Sequence, residues 1–246
     1  MSFGKPTRYC AVLPCAKFKA VENLPIYASL LFAATTLLTL YFLFKASQRS
    51  RIVLIIASLW LVIQAVVSFT GFYKVADTVP PRFVLLVMPP IIFIAVLFLS
   101  VTGKRFINTL DIRWLTILHI VRIPVELVLL MLFIHKLVPQ IMTFEGRNLD
   151  ILSGITAPII CYFGFVKYRL NKAVVVVWNI LCLLLLINIV TIAVLSAPFA
   201  FQQFGFEQPN VAILSFPFVW LPCFIVPVVL FSHLVALQIL IKARKL

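Results

Sequence analysis

The sequence predicts an all-α fold: a polytopic transmembrane helix bundle of seven spans, N-terminus outside and C-terminus inside. Three observations predict it. Of 246 residues, 63% are apolar and 11% charged, against about 45–50% and about 25% in soluble domains. No water-facing surface can be built from that supply, which excludes a soluble enzyme, a disordered chain, a collagen and a disulfide-rich secreted domain. The apolar residues form continuous runs such as LVLLMLF and VVVVWNILCLLLLINIV, not the alternating segments of about 10 residues that a membrane β-barrel needs. Finally, 21 Lys and Arg outnumber 7 Asp and Glu, a net charge of +14. They cluster in the gaps between apolar runs, which is how loops are held at an inner membrane face and not a nucleic-acid-binding pattern.

A span needs about 20 apolar residues. The runs at 24–44, 52–73, 83–102, 114–135, 150–168, 173–196 and 212–241 meet that length. Residues 1–23 then form an extramembrane or interfacial segment, and 24–246 a single transmembrane domain. The first run is too long for a signal-peptide core and is followed by the stop-transfer cluster Lys45, Arg49 and Arg51, so it reads as an anchor. The gap after the third run carries Lys104, Arg105 and Arg113. The gap after the fifth carries Lys167, Arg169 and Lys172, and the tail carries Lys242, Arg244 and Lys245. These alternate consistently and are placed inside. The opposite loops hold Asp77, Glu145, Asp150 and Glu207. Lys5, Arg8, Lys17 and Lys19 at the N-terminus disagree, but the internal clusters outweigh one tail.

The fourth run carries the sharpest chemical signal, HIVRIPVE. His119, Arg122 and Glu126 stand at i, i+3 and i+7, on one helical stripe. Arg122 and Glu126, four apart, can pair directly. Glu following Arg is the less favourable order, which leaves room for other partners such as Asn179 or Asn188 of the sixth run. Glu126 falls near the bilayer midplane, where a lone charge costs several kcal/mol. Both charges must therefore face the bundle interior or a water-filled cavity. Pro124 between them frees a backbone carbonyl and favours a kink. The stripe reads as a substrate, ion or proton site, or as a structural ion pair between helices.

The outer loops carry varied residue types, as specific binding requires. MTFEGRNLD holds Glu145, Arg147, Asn148 and Asp150 within six positions. Asn148 or Asp150 can cap the fifth span, and Gly146 allows a sharp turn, but a turn and cap leave Glu145 and Arg147 unexplained. His135 and Lys136 lie close by. TVPPRF stiffens the chain beside Arg82. APFAFQQFGFEQPN interleaves four Phe with Gln202, Gln203, Glu207 and Gln208; it reads as an aromatic interfacial anchor or as a lid with its amides turned inward. A site of this kind opens outward and reaches down to Arg122 and Glu126.

Pro217, Pro222 and Pro227 interrupt the seventh run, making a hinge or a bent helix. His119 and His233 lie at equal depth, a spacing that could hold a haem, but no second His pair and no CxxCH accompanies them, so neither haem nor another cofactor is expected, and no metal site. Cys10 and Cys15 could pair outside; Cys161, Cys182 and Cys223 read as small apolar residues. P-loop, HExxH, GxSxG, Rossmann-glycine and CxxC patterns are absent, and the seventh run has no Lys for a retinal Schiff base.

The segments PPRF, HIVRIPVE, MTFEGRNLDI, FQQFGFEQPN and FPFVWLP, followed by Val226-Pro227 and His233, resemble a family of uncharacterised bacterial integral membrane proteins. The resemblance implies a seven-helix bundle in the bacterial inner (plasma) membrane and carries no activity, substrate or cofactor. Three readings remain open. The first is a protein that binds, transports or senses a small or lipid-like ligand, with Arg122 neutralising an anionic group, Glu126 pairing with it or exchanging a proton, and Arg82 and Arg147 attracting it at the mouth. The second is an intramembrane enzyme acting on a lipid or isoprenoid, with Glu126 as general acid/base assisted by His119 or His135. The third is a structural subunit of a membrane complex. The lipid bilayer is the expected partner, with a small-molecule or lipid ligand in the first reading; an oligomer or partner subunit fits any of the three.

Overall fold

The computed structural model describes residues 24–75, 78 and 80–242. Residues 1–23, with Cys10 and Cys15, and Asp77 lie outside the described residues. Helices make up the architecture, with no strand among the described residues. In chain order they are α1 (Ile26–Ala46), α2 (Arg51–Phe69), α3 (Val84–Leu99), α4 (Val101–Thr109), α5 (Ile112–Ile134), α6 (Ile151–Val166), α7 (Lys172–Leu195) and α8 (Leu221–Lys242).

Helical segments fall in all seven expected runs, but not all are spans by the same measure. Five are long and apolar enough to cross a membrane: α1, α2, α5, α7 and α8. The run at 83–102 is not one straight helix. α3 and α4 meet at 92° and reach a sixth span only when taken together. The break is at Ser100, whose extended backbone (ψ 150°) ends α3 while its hydroxyl accepts the Gly103 N–H and starts α4. A Cβ at Gly103 would stand 2.2 Å from the Leu97 carbonyl oxygen, so only glycine lets α4 fold back so tightly. α6 is apolar but shorter than a typical span, and ends in a π-helical turn, Tyr162–Val166.

Side-chain caps start α2, α4, α5 and α7. The Asn171 side chain accepts the Ala173 N–H at 3.1 Å, and Asp111 accepts the Arg113 N–H at 2.9 Å. Such bonds satisfy donors that the helix itself leaves free. Asp111 also pairs with the Arg113 guanidinium at 2.9 Å. Partial burial opposes its ionisation, but these hydrogen bonds prevail and hold its carboxyl below the usual range.

α5 and α8 are the central helices, with 50% and 61% of their apolar windows buried, against 22% for α2. The core packs Phe32 of α1, Leu118 and Leu132 of α5, Leu186 of α7 and Phe224 of α8 together. Ile52, Ile55, Leu59 and Val66 of α2 are exposed, as a lipid-facing helix requires. Polar residues at the middle of α5 and α8 are therefore enclosed by protein on every side. That placement creates the site.

The prolines of the last run act locally. Pro217 precedes α8, Pro222 lies in its π-helical first turn (Leu221–Ile225), and Pro227 follows. A proline cannot donate to the carbonyl four residues back; for Pro227 that is Cys223. The Trp60 indole N–H supplies the missing donor at 2.9 Å, and Trp220 reciprocates to the Leu61 carbonyl at 3.0 Å. These bonds tie α2 to α8. Trp60→Phe is expected to destabilise the fold by about 1–2 kcal/mol, the cost of an orphaned buried carbonyl; thermal denaturation in detergent measures it.

Candidate functional site

His119, Arg122 and Glu126 lie in the bundle core, with 1%, 3% and 1% of their surfaces exposed. α5 changes winding there: a 3-10 turn, His119–Val121, separates Ile112–Leu118 from Arg122–Ile134. The expected direct pair between Arg122 and Glu126 does not form. Arg122 Nη1 instead donates to Asp150 Oδ1 at 2.8 Å and to the Cys182 carbonyl at 3.3 Å, while Nη2 donates to His233 Nε2 at 2.9 Å. The reason is reach. A guanidinium inside a central helix extends sideways to the neighbouring helices α6, α7 and α8 more readily than along its own axis.

The outer loop completes the arrangement. Asn148 and Asp150 are not surface turn residues; both are buried. Asp150 stands at the start of α6 without capping it, because its carboxylate faces Arg122. Asn148 Oδ1 accepts the Asp150 N–H at 3.0 Å, and Asn148 Nδ2 donates to Glu126 Oε1 and, at 3.0 Å, to the Met142 carbonyl. A 3-10 turn at Gln140–Met142 and Gly146 bring the loop inward. A Cβ on Gly146 would stand 2.3 Å from the Gln140 carbonyl oxygen, so the inward fold depends on glycine there.

On the other side, His233 Nδ1 lies 3.0 Å from Asn179 Oδ1, and Asn179 Nδ2 donates to the Val175 carbonyl at 2.9 Å. These partners set the tautomer: Nε2 accepts from Arg122 and Nδ1 carries the proton. One chain of hydrogen bonds thus runs Val175, Asn179, His233, Arg122, Asp150, Asn148, Glu126. Of the two amides suggested as partners for Arg122 and Glu126, Asn179 meets Arg122 through His233. Asn188 donates to the Arg147 carbonyl instead.

The His119 and His233 rings stack face to face, 3.9 Å between centroids and 18° apart, beside Trp178. Rings in that arrangement do not converge on a point between them, and both nitrogens of His233 are already engaged. Among the described residues no cluster of three or more His, Cys, Asp or Glu is placed to hold a metal.

Among the described residues, three polar atoms in and beside the network lack a protein partner: Glu126 Oε2, Arg122 Nε and His119 Nδ1. Glu126 and Asp150 also line a cavity of about 90 Å³, otherwise apolar, bounded by Phe83, Leu129, Ile189, Ile213 and Pro222 among others. That volume suits about three waters. Several of its walls, among them Phe83, Val194 and Ile213, come from the ends of helices next to the loops predicted to face outward.

The remaining predicted site residues stay apart from this network. Glu145, Arg147, Gln203 and Glu207 are exposed. Arg82 lies over the Phe72 ring, 4.6 Å from its centroid, and donates to the Phe72 carbonyl at 3.4 Å. The Phe-rich loop folds back onto the bundle. Phe199 is buried against Phe83, and Gln208 donates to the Phe133 carbonyl at 2.9 Å and to that of Val138. Asn210 donates to the Ala193 carbonyl at 3.1 Å. Its amides cap helix ends.

A family model, described as a domain of unknown function (DUF8737), matches residues 79–241. That range holds every residue of the buried network. No curated protein and no solved structure matches the chain.

Proposed function

The chain belongs to the DUF8737 family, and from that premise we propose that it is a seven-span protein of the bacterial plasma membrane, N-terminus out and C-terminus in, that takes up a proton or a small cationic ligand at Glu126 from the outer side, to transport or to sense it. The charge balance of the buried network carries the reading. Its one guanidinium, Arg122, is already matched by Asp150. Glu126 is a second carboxyl, with Oε1 held by Asn148 and Oε2 facing no protein partner. An uncompensated carboxylate at this depth is very costly. A proton or a bound cation supplies the balance, and the adjoining cavity supplies the space. An anionic ligand on Arg122 fits less well, because Asp150 and His233 already occupy both terminal nitrogens.

The orientation rests on the basic clusters at the end of α1, in and after α4, and after α6. The seventh span rests on α6, which needs some thinning of the bilayer or flanking side chains to complete its length.

Glu126→Gln tests the reading. The amide keeps size and hydrogen bonding but takes up neither a proton nor a cation. In detergent, the wild-type melting temperature is expected to move with pH or with added sodium, potassium or ammonium, and the Glu126→Gln melting temperature is expected to stay put while the protein remains folded. An unchanged response in the variant would remove Glu126 from the role.

A further inference from the structure

A second, larger cavity of about 360 Å³ opens between α2 and α3, over one face of α8. That size lies in the range of ligand sites, about 300–1,000 Å³. Ile56 and Ala57 of α2, Phe93 and Ile94 of α3 and Pro227 of α8 form much of its wall, and among the described residues no charged side chain lines it. Toward mid-membrane it is bounded by Trp60, whose N–H is spent on the Cys223 carbonyl. At the other end it is bounded by Leu43, Val53 and Phe106. Each of these lies within two positions of a basic residue: Lys45, Arg51, and Lys104 with Arg105. The cavity thus runs from the membrane interior to the basic face of the bundle.

Among the described residues that face has no spare counter-ion. Arg51, Lys104 and Arg105 are exposed, and none forms an ion pair among the described residues. The nearby carboxylate, Asp111, is held by Arg113. Lys45 is drawn away over the Tyr41 and Trp114 rings, at 5.6 and 5.4 Å. The 92° bend at Ser100 is what sets α4, with its Lys-Arg pair, across the end of α3.

We propose that this cavity binds one acyl chain of an anionic phospholipid whose phosphate sits on Arg51, Lys104 and Arg105. The apolar wall takes the tail, and basic residues at the end of such a pocket take an anionic head group. An extended peptide is a poor occupant, since its N–H and C=O groups would meet a wall with no free polar partner. A zwitterionic lipid gains from the tail alone. The site is separate from Glu126 and stands or falls without it.

The test is native mass spectrometry of the full chain released from nanodiscs of mixed phosphatidylglycerol and phosphatidylcholine. One phosphatidylglycerol is expected to stay bound, preferred about tenfold or more over phosphatidylcholine. The triple variant Arg51→Gln, Lys104→Gln, Arg105→Gln is expected to retain the two lipids equally. Ala57→Phe, which fills the cavity, is expected to reduce retention of both; if it does not fold, Ile56→Trp, at a half-exposed wall position, gives the same readout. Equal retention of the two lipids by the wild type would overturn the proposal. So would retention undiminished by filling the cavity, or a co-released mass that is a peptide or a second copy of the chain.

Discussion

Arg122→Met is expected to cost about 3–5 kcal/mol, enough to abolish the folded yield of a marginally stable chain. Removing the guanidinium leaves Asp150 charged with only 8% of its side chain exposed, and deprives His233 Nε2 and the Cys182 carbonyl of their donor. Asp150→Leu alone is expected to be similarly damaging, because it leaves the guanidinium unpaired. The double variant Arg122→Met, Asp150→Leu is the informative one. An ion pair replaced by apolar residues of similar volume is often neutral for stability, so the double variant is expected to recover most of the loss. Thermal denaturation of all four proteins in detergent closes the cycle. If the double variant is as damaged as the sum of the single ones, Arg122 and Asp150 act independently and the network described above is not a unit.

That cycle also separates the two parts of the network. Arg122 and Asp150 join α5 to α6, and their chief effect is expected on stability. Glu126 contributes no ion pair to any helix and faces the cavity with one free oxygen, so its chief effect is expected on uptake. From spacing alone Arg122 and Glu126 can form one couple, the arginine neutralising an anionic group and the glutamate pairing with it or exchanging a proton. The structure divides them.

What could be read in advance follows the periodicity of helices. The spacing of His119, Arg122 and Glu126 puts them on one stripe, and the cost of a charge in an apolar medium turns that stripe inward; both inferences are local. Arg122's partner is not local, since Asp150 lies 28 positions away in what reads as a hydrophilic turn. Asn148 and Asp150 carry the composition of a helix cap, and nothing in their own segment says that Gly146 and the turn before it carry them into the core. His233 sits in a run so apolar all round that no face stands out, so its contact with Arg122 was illegible although its depth was not. The bend at Ser100 escaped for a related reason. Hydropathy measures whether a run can enter a membrane and is blind to its direction; the paired prolines Pro89 and Pro90 and the Ser100–Gly103 spacing were the available signals.

Gly154→Ala is expected to destabilise the protein by about 1–3 kcal/mol, whereas Gly164→Ala in the same helical segment is expected to be neutral or stabilising by up to about 1 kcal/mol. The two residues differ in what a methyl group would meet. At Gly154 a Cβ would stand 2.8 Å from Ile123 Cγ1, 3.1 Å from the Ile123 backbone nitrogen and 3.4 Å from Arg122 Cβ. Backbone cannot yield as a side-chain tip does, so α6 must move off α5. At Gly164 the nearest atoms are Val175 Cγ2 at 3.5 Å and Leu170 Cδ1 at 3.8 Å, ordinary contacts. Small residues allow this close approach in membrane bundles, and here the approach has a chemical consequence: Gly154 packs on the turn of α5 that carries Arg122, so the distance it sets decides whether Asp150 can reach the guanidinium. Gly154→Ala in the Arg122→Met, Asp150→Leu background is therefore expected to cost less than in the wild type. An equal cost in both backgrounds would show that the glycine serves packing alone, and that the ion pair tolerates the separation of its helices.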